Sequence, residues 1–356
     1  MFVVMKCFIT IFIIVIFSNS VVSHAMDIKY ISPDDVSTFD TIPSMVYDRY
    51  FEASYNELCD MFEGKTSYNL KRAEFLVENA FYGGTMNYSV FSGEIDSIVC
   101  ILNKFIDVNG FRQYKTAPNF AIFEYMTKPS VMNGNLKFTY DFDDPIGQKD
   151  FSVFFISKLL KTHRGQCTSM PLLYKILCDE LGGQSSLAFA PMHMYIKHIG
   201  EDNKWVNVEL THGGFVRDAW MIEQMGITTE AIKNGIFLTA LNEKETIGLM
   251  IMILSRAYRF KYSRYDEFVG RSINKVLEVL PSFSNALLMK LNYHYCNYES
   301  YITTYSSRPS SYADFHYQEY KRILNLLDRL GYTQPNLDNY SHNIKHNQRI
   351  ANDLTN

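Results

Sequence analysis

The chain has 356 residues, 47% hydrophobic and 20% charged, with 34 Lys and Arg against 38 Asp and Glu for a formal net charge of −4. That composition is globular and long enough for two or three packed units. A near-neutral balance without a basic run carries no electrostatic footprint for nucleic acid or an anionic membrane surface. The 25 Tyr and 26 Phe are core and groove material and specify no ligand.

The first 25 residues stand apart. "MFVVMKCFITIFIIVIFSNSVVSHA" has a single Lys6, an apolar run from Cys7 to Phe17, and a small-x-small ending at Ser23-His24-Ala25, the layout of a cleavable secretory leader. The apolar run is short for a bilayer span. Export is therefore expected, with a mature chain starting near Met26 and no membrane span after cleavage; an uncleaved N-terminal anchor is the alternative. Cys7 has no small-residue cleavage site ahead of it, which argues against a lipoprotein leader. The other five cysteines are Cys59, Cys100, Cys167, Cys178 and Cys296. An odd number leaves a thiol unpaired or bridged between molecules. Cys167 and Cys178 would stand roughly 16 Å apart along one helix, beyond disulfide reach. No CxxC pair occurs, so no metal and no cofactor is expected.

Residues 26–130 read as an N-terminal helical region. The runs "SMVYDRYFEASYNELCDMF", "NLKRAEFLVENAFYGG" and "GEIDSIVCILNKFIDVNG" carry apolar residues at helical spacing, the last two closed by glycine. "NGNLKFTYDFDDPIGQKD" is rich in turn residues, and within it Asp143 and Asp144 read as turn formers before Pro145. "FSVFFISKLLKTH" predicts one apolar helix, interrupted by Arg164-Gly165-Gln166. A helix is then expected over 168–181, ended by Gly182-Gly183, followed by three short strands, "SSLAFA", "HMYIKHI" and "KWVNVEL". These belong to a central unit over 131–225. Helices return over 226–335, where "KETIGLMIMILSRAYRF" and "RYDEFVGRSINKVLEVLP" resemble one tetratricopeptide-type hairpin. Residues 336–356 form a polar tail.

The second and third strands permit a sharper deduction. Met194, Ile196 and His198 alternate with His193, Tyr195 and Lys197, while Val206, Val208 and Leu210 alternate with Trp205, Asn207 and Glu209. Alternate side chains face opposite sides of a sheet, so the even residues form the core face on both strands. Burying both sets together requires cross-strand partners whose numbers sum to an even value. The register summing to 402, with Gly200-Glu201-Asp202 as the turn, pairs Met194 with Val208 and Ile196 with Val206. It sets His193 opposite Glu209, off the core face and within reach of a hydrogen bond.

Cys167 completes a set. A thiol at a helix start feels the positive end of the helix dipole. An imidazole can take its proton, and a carboxylate can orient that imidazole. The Cys167 N–H is a candidate donor to an oxyanion, with Gln148 and Gln166 as candidates for the second donor. The remaining histidines read as structural: His198 on the apolar face, His212 beside Gly213-Gly214, and His163 too loosely spaced from His193 for a metal site. The Tyr-rich run "YHYCNYESYITTYSS" reads first as helix packing and second as a peptide or sugar groove.

A cysteine at a helix start, histidine on a following strand and acid on the next resembles the transglutaminase-like branch of the papain-type cysteine enzymes. The matching residues are "GQC" at 165–167, "PMHMYIKH" at 191–198 and "WVNVEL" at 205–210. The stretches "RAEFLVENAFYGGTMNY", "GQKDFSVFFISKLLKTHRGQC" and "SMPLLYKIL" are similar to segments of exported proteins of the Bacteroides lineage that join such a core to tetratricopeptide-like helices. The resemblance covers roughly residues 65–290. It implies an α+β fold: a papain/transglutaminase-like core, in which a helix carrying the cysteine packs on a small antiparallel sheet, flanked by N- and C-terminal α-helical regions. It also implies Cys167 as nucleophile, His193 as general base and Glu209 as orienting acid. Two residues depart from the usual pattern: Glu209 stands where Asp is commoner, and Met194-Tyr195 follows the histidine in place of Ala-Trp.

The function expected is that of an exported, periplasmic or envelope-associated cysteine hydrolase or acyltransferase acting on an amide-type bond. Its partner would be a peptide or protein substrate, with the C-terminal helices as a candidate surface for a protein partner. The alternative is a non-catalytic module of the same build that holds a peptide or envelope partner.

Overall fold

The computed structural model describes residues 48–305 and 310–333; the leader and the polar tail expected from the sequence lie outside them. The chain is mixed α/β, mostly helical, with a small antiparallel sheet and a short parallel pair. Its N-terminal helices are α1 (Arg49–Phe62), α2 (Leu70–Phe81), α3 (Tyr88–Val108) and α4 (Ala117–Thr127). Asp48, Asn69 and Asn87 cap the first three by accepting N–H bonds from the opening turn, which satisfies donors that a helix leaves orphaned. The strands β1 (Thr139–Tyr140) and β2 (Arg164–Gly165) pair in parallel on either side of α5 (Ile156–Thr162).

The helix expected over 151–163 is broken. Residues Phe151–Phe154 form a 3-10 turn, Phe155 is extended, and α5 starts only at Ile156. The break has a long-range cause. The buried Glu78 carboxylate on α2 accepts from the Ile156 N–H at 2.7 Å and the Ser157 N–H at 3.1 Å, capping the helix there from another element.

Next come α6 (Ser169–Glu180), then β3 (Ser186–Ala190), β4 (His193–Ile199), β5 (Trp205–Glu209) and β6 (Gly214–Val216), which pair in sequence order as antiparallel neighbours. Helix α6 is buried along almost its whole length, with Lys175 and Asp179, one turn apart, paired with each other. The chain closes with α7 (Asp218–Met225), α8 (Thr229–Lys233), α9 (Glu243–Tyr262), α10 (Glu267–Val279), α11 (Ser284–Tyr305) and α12 (Ser311–Arg329). One continuous core runs from Phe51 through α6 and the sheet to Met289. Within it α9 packs on the N-terminal helices, Tyr258 meeting Phe51 edge-on at 5.3 Å. The Tyr-rich run packs α11 on α12, with Tyr295 5.5 Å from Tyr320 and Tyr298 5.1 Å from Tyr317.

The alternation read from β4 and β5 holds, and the register does not. Ile196 pairs with Val208 and His198 with Val206, a sum of 404 rather than 402. The turn moves one residue on, to Glu201-Asp202-Asn203, with the Asn203 N–H donating to the Gly200 carbonyl at 2.9 Å. Three-residue hairpins of this kind need a left-handed third residue. Asn203 takes it at φ +63, and asparagine tolerates that region better than the Asp202 that the other register would demand. A shift of two in the sum keeps every side chain on its face. Leu187, Met194, Ile196 and Val208 therefore join the main core. The opposite face is covered as well: Ala188, Ala190 and Tyr195 pack under Met221, Ile227, Ala231 and residues Ile236, Phe237 and Leu238.

Candidate active site

Cys167 lies two residues ahead of α6, half-buried, in a turn held from below. Ser169 accepts from the Gln166 N–H at 2.9 Å and donates to the Val153 carbonyl at 3.1 Å. Gln166 is fully buried and donates its side-chain amide to the carbonyls of Asp141, 2.7 Å, and Asp144, 3.0 Å. Gly165 fits because a Cβ there would come within 2.6 Å of Leu159 and 2.8 Å of Ser169. Asp144 orders the preceding loop by accepting backbone bonds from Gln148, Lys149 and Asp150 at 2.9, 3.0 and 3.0 Å. Arg164 pairs with Asp141 and Asp143, both at 2.7 Å. The Gln166 side chain is thereby removed from the candidates for a second oxyanion donor, since both of its amide protons point into the protein. Gln148 is exposed, and no contact links its side chain to Cys167.

His193 opens β4 after a two-residue turn in which Pro191 is followed by Met192 at φ +57. A left-handed conformation in a side chain other than Gly, Asn or Asp is uncommon and costs about 1–3 kcal/mol. This one brings the Met192 carbonyl to 4.0 Å from the Cys167 sulfur. His193 itself donates from Nε2 to Glu209 Oε2 at 2.5 Å, which leaves Nδ1 as the nitrogen available to the thiol. Both side chains are buried, 12% and 5% exposed. The sequence expected this contact from directly opposed residues. In the observed register Tyr195 would face Glu209, and His193 lies one pair further along, so the contact is diagonal. Diagonal neighbours are roughly 7–8 Å apart at Cα and meet only through long side chains. That is a physical reason for Glu at this position: Asp would be one methylene short.

Thr211, unflagged in the sequence, holds the other carboxylate oxygen. Its N–H donates to Glu209 Oε1 at 2.8 Å and its hydroxyl donates to the same atom. The local signal was available, since a Thr two residues beyond a carboxylate commonly closes such a turn. Tyr195 flanks the imidazole in parallel, ring centres 6.4 Å apart.

These contacts determine the charges. Burial opposes charging His193, yet the Glu209 carboxylate, together with the Cys167 thiol, outweighs it and lifts the imidazole from an ordinary 6.5 to about 10. Burial likewise opposes charging Glu209, and the His193 charge with bonds from His193 and Thr211 brings it down to about 2. At neutral pH the pair is imidazolium and carboxylate, facing a half-buried sulfur.

His198, His163 and His212 take structural places. His198 is buried and kept below its ordinary pKa by desolvation. His163 stacks on Phe138 at 4.4 Å and bonds the Leu136 carbonyl at 2.8 Å. The His212 ring lies against Gly214, where a Cβ would come within 2.9 Å. Among the described residues no group of three or more His, Cys, Asp or Glu could hold a metal ion, and no helix is long and apolar enough to cross a membrane. All five cysteines of the described residues are free. A cleft of about 670 Å³, lined in part by Phe91, Tyr125, Leu160, Lys161 and His163, contains none of Cys167, His193 and Glu209. No family model matches the chain, nor does any curated protein or solved structure.

Proposed function

We propose that this chain is an exported cysteine hydrolase or acyltransferase with a papain/transglutaminase-like core, acting on an amide-type bond of a peptide or protein. The observation that carries the reading is the buried His193–Glu209 contact beside Cys167, because an imidazole pinned between a thiol and a carboxylate is the arrangement that nucleophilic cysteine chemistry requires. The Cys167 sulfur attacks the amide carbonyl, and the thiol proton resides on His193. The N-terminal end of α6, with the Cys167 N–H, stabilises the oxyanion. His193 then protonates the leaving amine as the carbon–nitrogen bond breaks, which leaves a thioester. Water or a second amine, deprotonated by His193, resolves that ester and frees the thiol. Glu209 holds the ring and its charge throughout.

The test uses a comparator within the molecule. Cys100 is exposed and serves as an ordinary thiol. Peptide-level mass spectrometry of the protein treated with iodoacetamide at pH 7 should show Cys167 reacting at least about tenfold faster than Cys100, despite its burial. His193→Ala should erase that advantage. A Cys167 no faster than Cys100, or indifferent to His193, would shift the cluster to the second reading, a non-catalytic module binding a peptide or envelope partner.

A further inference from the structure

Helix α2 buries two glutamates one turn apart, Glu74 and Glu78, 1% and 0% exposed. Residues four apart share a helix face, and the two carboxyls stand within hydrogen-bonding reach of each other. Two carboxylates accept and neither donates, and the Oε2 atom of each glutamate lacks a hydrogen-bond partner. One proton between them supplies the missing donor: a carboxyl on Glu74 gives its O–H to the Glu78 carboxylate. Glu78 is the member that keeps the charge, because the Ile156 and Ser157 N–H groups donate to it at 2.7 and 3.1 Å. The surroundings hold the proton there. Burial and then the Glu78 charge raise Glu74 well above its ordinary 4.5, and burial raises Glu78 against the bonds that it accepts. Charged groups on the neighbouring elements are directed elsewhere. On α2 itself Lys71 pairs with Asp96 of α3 and with Glu180, and Arg72 with Glu57 of α1. Lys158 of α5 pairs with Asp150, and Lys261 of α9 with Asp48. From α9, Arg256 lies over the rings of Phe151 and Phe154. Tyr82, one turn on along α2, is the titratable group that feels the Glu78 charge.

We propose that Glu74 and Glu78 share one proton and form a pH-sensitive latch on the turn that carries Cys167. Glu78 caps α5 at Ile156, directly after the 3-10 turn Phe151–Phe154. That turn is joined to the Cys167 turn, because the Val153 carbonyl accepts the Ser169 hydroxyl and the Ser169 oxygen accepts the Gln166 N–H. Loss of the proton leaves two carboxylates side by side away from water, where they repel. Moving them apart draws Glu78 off Ile156 and Ser157, and the strain passes to the 3-10 turn and on to Ser169 and Gln166. The sign follows from linkage. Unfolded glutamates give up their protons near 4.5 and the folded pair keeps one above it, so the pair costs stability as pH rises from there until its proton leaves. The latch regulates the site proposed above and rests on that reading only for its effect on chemistry; the proton and the cap are measured without it.

Infrared difference spectroscopy of the protein carrying 13C-labelled glutamate reads protonated carboxyl groups directly. At neutral pH the wild type should show a protonated glutamate band that is lost on alkalinisation, a reading that needs no substitution. The band should vanish in Glu74→Gln and persist in Glu78→Gln, which places the proton on Glu74. Amide hydrogen exchange reads the cap. Corrected for intrinsic rates and divided by that of the buried α6 amides, protection at Ile156 and Ser157 should fall at least about tenfold from pH 6 to pH 9 in the wild type, the order expected when a buried carboxylate leaves its donors. The Gln166 N–H should follow them. In Glu74→Gln the side-chain amide donates to Glu78 at every pH, so protection at all three should stay level over the same range. An absent band in the wild type, a band that survives Glu74→Gln, or the same pH course in wild type and Glu74→Gln overturns the proposal. A Gln166 amide that stays protected while Ile156 and Ser157 open overturns the latch on the Cys167 turn. Cys167 reactivity enters none of these readings, so failure of the proposed cysteine chemistry is seen separately, in the alkylation assay.

Discussion

Replacing Glu209 by Gln keeps the shape of the side chain and removes the charge that holds His193. In the folded protein His193 is lifted from 6.5 to about 10, worth roughly 5 kcal/mol at about 1.4 kcal/mol per tenfold. Cys167 supplies part of that lift, so Glu209→Gln should destabilise the protein by about 3–5 kcal/mol, as removal of one partner of a buried ion pair does. The pH dependence follows from the signs. The raised His193 pKa contributes stability that is complete below about 6.5 and lost as pH rises through about 10. The lowered Glu209 pKa contributes stability present above about 4.5 and lost as pH falls through about 2. The gap between wild type and variant should therefore be widest near pH 5.5 and narrow towards pH 10, read by urea unfolding at each pH. An NMR titration of the His193 ring should fall well below about 10, since the Glu209 charge is gone and burial, which lowers it, then acts against Cys167 alone. Glu209→Asp should lose most of the same stabilisation, because the diagonal contact needs the longer chain. A Glu209→Gln penalty under about 1 kcal/mol at pH 5.5, or one independent of pH, would refute the assignment of the pair as a buried ion pair.

Two further outcomes test the scaffold. Gly165→Ala forces a methyl to within 2.6 Å of Leu159 and 2.8 Å of Ser169, so thermal unfolding should show about 1–3 kcal/mol of overpacking, with slower Cys167 alkylation; a wild-type melting curve would mean that the turn is looser than described. Between α11 and α12, His294 and His316 meet Nδ1 to Nδ1 at 3.0 Å. Burial lowers both to about 4, with the His316 charge also acting on His294. Both stay neutral in the folded state, so this contact is at full strength above about 6.5 and weakens as pH falls towards 4, by on the order of 3 kcal/mol per histidine. The double substitution His294→Phe and His316→Phe should flatten the urea midpoint across that range, and an unchanged slope would count against the pairing.

What was legible in the sequence is what local geometry dictates. The end of α6 follows from Gly182, left-handed at φ +70, and its body from the apolar run ahead of it. The faces of β4 and β5 follow from strict alternation, a property of each peptide unit, and it put His193 and Glu209 on the same side in either register. Three things escaped that local pattern. The pairing register was decided at Asn203, by which residue could bear a positive φ. The cover over the His193 face came from residues 221–238, and without it the pair would sit in water and hold little energy. Glu78 broke the helix expected over 151–163. Alternation is written into every dipeptide, whereas burial depends on which distant surfaces meet. The sequence by itself thus determined that Cys167, His193 and Glu209 could be neighbours; only the tertiary structure decided that they meet diagonally, dry and charged.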